Sequence, residues 1–165
     1  MKTLRKQRGP RPGSIARVPG IDYGGLNDLL GYLLRRAQLA GFEAFQRATA
    51  GVDITPPRYT ALTFVGANPG LSQTDLGAAL GTARSGAMLL TNWFEAHGLA
   101  ERRRRNGDGR AWGLYLTARG KVLITRLERR VRANDAAFAN RLAPRERAVL
   151  KRLLEKLVGQ ATDRG

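Results

Sequence analysis

Four consecutive arginines, Arg102 to Arg105, are followed within a few residues by Asp108 and Arg110. Guanidinium groups stay charged at any physiological pH and present a planar fork of donors that matches phosphate oxygens. The chemistry these residue types support is the holding of a polyanion. Bond-making chemistry has no such support. No Ser-His-Asp order, Walker loop, paired-carboxylate motif or HExxH occurs, so the chain is expected to be no enzyme and to need no cofactor or metal. His97, the single histidine, has no acidic cluster near it in sequence and sits near a helix C-terminus, where positive charge is favourable. A helix-end role is expected for it.

The charge balance agrees. Lys+Arg number 29 against 13 Asp+Glu, a formal net charge of +16 over 165 residues. Such an excess calls for a nucleic acid or an anionic membrane surface, and the clustering of the basic residues favours nucleic acid. No run approaches the length of a membrane span, and the charged opening lacks the apolar stretch of a signal peptide. The absence of cysteine removes disulfides and thiolate zinc sites. A soluble, cytoplasmic protein is expected.

Positioning these groups takes a series of short elements. Residues 1–20 hold Lys2, Arg5, Lys6, Arg8, Arg11 and Arg17, three prolines and no acid, and read as a disordered arm that either lies along a phosphate backbone or is a solvated tail. From Ile21 to about Ala50 apolar residues recur at helical spacing, with Asp22 as cap and Gly51 at the end. Thr55-Pro56-Pro57 opens a second helix. Ser72 to Asp75 has the spacing of a capping box and starts a short helix, in which Gly77, Ala78 and Ala79 allow close crossing by a neighbour. After Gly81, Thr82 or Ser85 caps the next helix, with Ala87, Leu90, Phe94 and Trp93 inward, ending at Gly98. Leu99 to Arg105 and Trp112 to Leu116 pair as a hairpin about Asn106 to Gly109. Thr117 caps a helix to about Leu142, striped by Val122, Leu123, Leu127, Val131 and Phe138. Pro144 starts the last helix, bearing Val149, Leu150, Leu153, Leu154, Leu157 and Val158. The fold class is mainly α with a small β-hairpin. The first and last helices carry more apolar surface than one small core needs, which points to a second copy.

The ordered set LGYLLRRAQLAGFEAF (Leu30 to Phe45), LSQTDLGAALGTARSGAMLLTNWFEAHGL (Leu71 to Leu99), Asp108-x-Arg110 and LYLTARG (Leu114 to Gly120) resembles the MarR family of winged helix-turn-helix regulators. The resemblance covers about Asp22 to Val158. It implies a homodimer on a pseudo-palindromic operator in double-stranded DNA, usually repressing and often released by a small aromatic ligand. It implies helical dimerisation regions over 21–55 and 117–159 around a winged helix-turn-helix over 56–116. Carried over residue by residue, Arg84, Ser85, Gly86, Met88 and Leu89 match the groove-facing start of the recognition helix, and Arg110 matches the wing arginine of the minor groove. Asp108 matches the acidic residue that orients the wing, through Arg102 or Arg104. Ser72, Gln73, Thr74, Arg102 and Arg104 complete the expected DNA contacts. Tyr32, Arg36, Tyr59, Phe64 and Trp93 are the candidates for an aromatic-acid pocket, Tyr32 and Arg36 standing one helical turn apart.

One departure matters. The family commonly has polar or basic side chains where this chain has Gly86, Met88 and Leu89, and an apolar chain can touch a thymine methyl but makes no bidentate contact. An architectural, weakly sequence-specific DNA binder without a ligand is therefore the alternative. A second alternative is an adaptor that uses the dimer surface to hold another protein.

Overall fold

The computed structural model describes residues 17–105 and 108–159, with the backbone alone at 108–110. Most of the basic arm lies outside the described residues. Its last four residues, 17–20, are described and exposed. The Val18 N–H donates to the Tyr23 hydroxyl at 3.0 Å, and Arg17 lies 5.3 Å from the centre of the Tyr23 ring while also bonding Asn27.

The single helix expected over Ile21 to Ala50 is two elements, a 3-10 turn at Gly24–Asp28 and helix α1 at Leu30–Ala48. Gly24 takes φ +50°, its N–H bonds Asp22 Oδ1 at 2.9 Å, and Leu29 is extended, which breaks the helical ladder. Tyr23, not the expected Asp22, stands at the N-cap of the 3-10 turn. Helix α2 (Pro56–Ala67) begins as expected, with the Thr55 hydroxyl accepting from Arg58 N–H and prolines in the first turn. Helix α3 (Gln73–Leu80) is capped by Ser72, and helix α4 (Arg84–Ala96) follows across Gly81 in the left-handed region.

Strands β1 (Ala100–Arg105) and β2 (Asp108–Leu116) form the antiparallel hairpin, in register from Ala100 opposite Leu116 to Arg104 opposite Trp112. An irregularity then brings Arg105 opposite Asp108, so Asp108 belongs to the strand and not to the turn. Leu71 adds a one-residue third strand. Gly70 N–H donates to Leu114 O, and Leu114 N–H to Leu71 O, each at 2.9 Å. Helix α5 (Ala118–Ala139) stops three residues short of the expected Leu142, and helix α6 (Pro144–Gly159) follows. No helix among the described residues is long and apolar enough to cross a membrane.

One core gathers these elements: Ala61, Leu62 and Val65 of α2, Leu76 of α3, Phe94 of α4, Leu99 just before β1, Ala100 of β1, Leu114 of β2 and Ile124 of α5. Phe94, Leu62 and Leu76 are fully buried, each side chain contributing about 1.5–3 kcal/mol by leaving water. On α5 the inward positions are Ile124 and Leu127, whereas Val122, expected in the stripe, is 71% exposed. In the single chain α6 buries no residue, and Leu29, Leu30 and Leu33 of the first helical region are exposed too.

Candidate nucleic-acid interface

Helix α4 is held by its small and buried positions, which leaves its other face to solvent. A Cβ on Gly77 of α3 would meet Ala87 Cβ at 3.4 Å, in van der Waals contact, so α3 and α4 cross closely. Ala78 and Ala79, expected at this crossing, face solvent. Thr91, unforeseen as an inward position, is fully buried and satisfies its hydroxyl on Ala87 O at 2.8 Å. At the far end Gly98 takes φ +63°, with Gly98 N–H bonded to Glu95 O and Leu99 N–H to Phe94 O, the paired bonds of a Schellman ending. The Thr117 hydroxyl fastens that end to α5, donating to Gly98 O at 2.7 Å and accepting from Gly120 N–H at 3.0 Å.

Neither Thr82 nor Ser85 caps α4. The N-cap is Ala83, with no side-chain cap bond. Thr82 turns instead against Gly86, where a Cβ would come within 2.4 Å of the threonine hydroxyl. A side chain at 86 would have to move the Thr82 hydroxyl aside. Arg84 and Ser85 are exposed, as are Met88 at 45% and Leu89 at 68%. The outward face of the first two turns of α4 therefore combines one cation, one hydroxyl and two large apolar side chains. At the start of α3 the Ser72 hydroxyl is already engaged, accepting from Asp75 N–H at 3.0 Å and donating to the Asp75 carboxylate at 2.6 Å. Gln73 is half-buried and Thr74 exposed in the first turn.

The four hairpin arginines have different surroundings. Arg102 ion-pairs with Glu95 of α4 and donates to Asn92 Oδ1 at 2.9 Å. Arg103 ion-pairs with Glu101 and lies 5.7 Å from the centre of the Tyr115 ring. Arg104 lies 5.6 Å from the centre of Trp112, its cross-strand neighbour, and Arg105 is exposed. The side chains of Asp108 and Arg110 lie outside the described residues, so the expected orientation of the wing by Asp108 is not visible. The described partners of Arg102 are on the recognition helix.

The five pocket candidates do not share one cavity. Phe64 lines a cavity of about 620 Å³ between α1, α2 and the start of α4, with Phe42, Pro56, Leu80, Leu89 and Leu90. Trp93 lines a different cavity, also about 620 Å³, with Val52, His97, Arg119 and Arg126. Both faces of its indole are taken: Arg58 lies 3.9 Å from the ring centre and His97 stacks at 3.9 Å. Arg58 is held in turn by Asp53 at 3.0 Å. His97 is the C-cap of α4, with Nδ1 2.7 Å from Trp93 O, which accepts the hydrogen bond, consistent with a helix-end role. Tyr59 packs against Phe45, ring centres 5.5 Å apart, and burial, with the Glu128 carboxylate behind it, raises its pKa above the ordinary tyrosine value. Tyr32 and Arg36 lie on α1 and line neither cavity.

Glu95, Asn92, Arg58 and Thr91 all escaped the sequence reading. Glu95 reaches Arg102 from helix to strand, around the Gly98 turn, and no helical or strand period links such positions.

A short helix crossed by a second helix with a solvent-facing start, beside a basic antiparallel hairpin, defines a winged helix-turn-helix DNA-binding protein. Residues 52–111 match the MarR family. The chain is similar to a putative transcriptional regulatory protein for the hcr operon of Thauera aromatica, 35% identical over 162 residues, 97% of this chain and 96% of the relative. Among solved structures it resembles the transcriptional repressor CouR bound to a 23-mer DNA duplex (33% identity, TM-score 0.76, 83% of this chain and 97% of that one). CouR bound to p-coumaroyl-CoA is matched at 32% identity and the same TM-score, covering 87% and 99%. The PcaV regulator of Streptomyces coelicolor with its natural ligand is matched at 29% identity and TM-score 0.74, covering 86% and 99%. The chain belongs to the MarR family: it is a dimeric, DNA-binding transcriptional regulator of the winged helix-turn-helix class, not an enzyme.

Proposed function

We propose that the chain is a cytoplasmic repressor that holds a pseudo-palindromic operator as a homodimer and releases it when a small aromatic acid or its derivative binds. The observation that carries the reading is the outward face of α4, Arg84 and Ser85 at its start, standing beside the arginine hairpin. The regions 21–55 and 117–159 form the dimerisation part, and their exposed leucines are the surface a second copy covers. Two recognition helices then enter successive major grooves about 34 Å apart. Arg84, Ser85, Met88 and Leu89 read the groove, Gln73, Thr74 and Arg104 fix the backbone, and Arg110 enters the minor groove.

The ligand crevice is the cavity lined by Phe64. It backs directly onto Leu89, Leu90 and Gly86, so an occupant displaces the helix that reads the DNA. Its volume lies within the range of small-molecule sites. A duplex-bound protein titrated with salicylate and with 4-hydroxycinnamate tests this. Release by one of them, lost in Phe64→Ala, is the expected result. Retention of the duplex at saturating concentrations of both counts against ligand control.

The architectural reading keeps one specific support. Met88 and Leu89 project from the reading face, and apolar side chains distinguish few base pairs.

A further inference from the structure

Arg102 ties the basic run to helix α4. Its guanidinium meets the Glu95 carboxylate and the Asn92 side-chain oxygen, two groups three residues apart on one face of α4. Two acceptors on one planar cation fix its orientation as well as its position. The pair is about 30% exposed on each side, against 59% and 41% for the Arg103–Glu101 pair further along the strand. Arg102 sits opposite Leu114, in the part of the hairpin anchored through Leu71 and Gly70. The bond therefore joins the rigid base of the wing to the last turns of the recognition helix.

We propose that Arg102 is a strut and not a phosphate contact: with Glu95 and Asn92 it sets the angle between the recognition helix and the wing, and so determines sequence-specific affinity. The carboxylate neutralises the guanidinium and would repel a phosphate brought beside it. A strut acts only where helix and wing must engage together. On a random duplex, binding is dominated by exposed charges and is indifferent to that angle.

This rests on the site-specific reading above, and its test separates the two. Arg102→Gln, Glu95→Gln and the swap E95R/R102E are titrated on an enriched inverted-repeat duplex and on a scrambled duplex over a range of salt. Each single variant is expected to lose about tenfold on the inverted repeat, with its affinity and salt slope on the scrambled duplex unchanged, and the swap to regain most of the loss. A phosphate contact gives the opposite pattern: Arg102→Gln alone weakens both duplexes and lowers the salt slope by about one. That result overturns the proposal. Where wild type itself shows no preference between duplexes, the site-specific reading fails instead. A double-mutant cycle in urea then still tests the strut, which is overturned by zero coupling between positions 95 and 102.

Discussion

Gly113 of β2 lies against Gly70 so closely that a Cβ at 113 would fall 2.7 Å from both Cα and the carbonyl oxygen of Gly70. Gly70 itself takes φ +87°, a conformation side chains resist. Two glycines, 43 positions apart, thus let the wing base settle on the turn between α2 and α3 and form its bonds to Leu71. Gly113→Ala is expected to cost about 1–3 kcal/mol through overpacking against backbone, read from urea unfolding. An unchanged midpoint would contradict this close approach.

The wing arginine at 110 should act on binding alone. Arg110→Ala is expected to cost about 1–3 kcal/mol of specific DNA affinity, measured by anisotropy, with an unchanged thermal midpoint. Undiminished affinity would remove the wing from the proposed interface.

Dimerisation should reside in the exposed leucines of α6. Leu153 and Leu157, 47% and 55% exposed in the single chain, stand four residues apart on one face. Leu153→Asp places a charge in that surface and is expected to give a monomer in sedimentation, with loss of specific duplex binding. A variant that remains dimeric would place the interface elsewhere.

Tyr59 supplies a pH prediction. Its pKa lies above the ordinary value near 10 because burial, then Glu128, disfavours the phenolate. The folded state therefore keeps the proton longer than the unfolded chain does. Its contribution to stability is whole below pH 10 and is lost as pH rises through the folded value. Tyr59→Phe should flatten this part of the alkaline stability loss, and the phenol absorbance of the folded wild type should titrate late. Titration of this phenol at the unfolded value would contradict the burial.

The elements were legible where the cause is local. Thr55, Ser72 and Thr117 cap as their spacing indicates, and Gly81 and Gly98 end their helices in the left-handed region. Errors arose where a tertiary contact decides. Thr82 seemed a cap but packs on Gly86, and the 21–50 helix breaks at Leu29 because two glycines favour a tighter turn. The candidate interface was legible as a list of basic and polar side chains. Which cations are already neutralised was not, because Glu95 and Arg102 meet only once the helix end and the strand are folded against each other.

The central claim is that this face reads sequence. Selection of bound duplexes from a random pool at near-physiological salt tests it most directly. The account predicts an enriched inverted repeat with half-site centres about one helical turn, roughly 34 Å, apart. Firm binding with no enriched motif would contradict it and leave an architectural DNA binder whose outward Met88 and Leu89 select nothing.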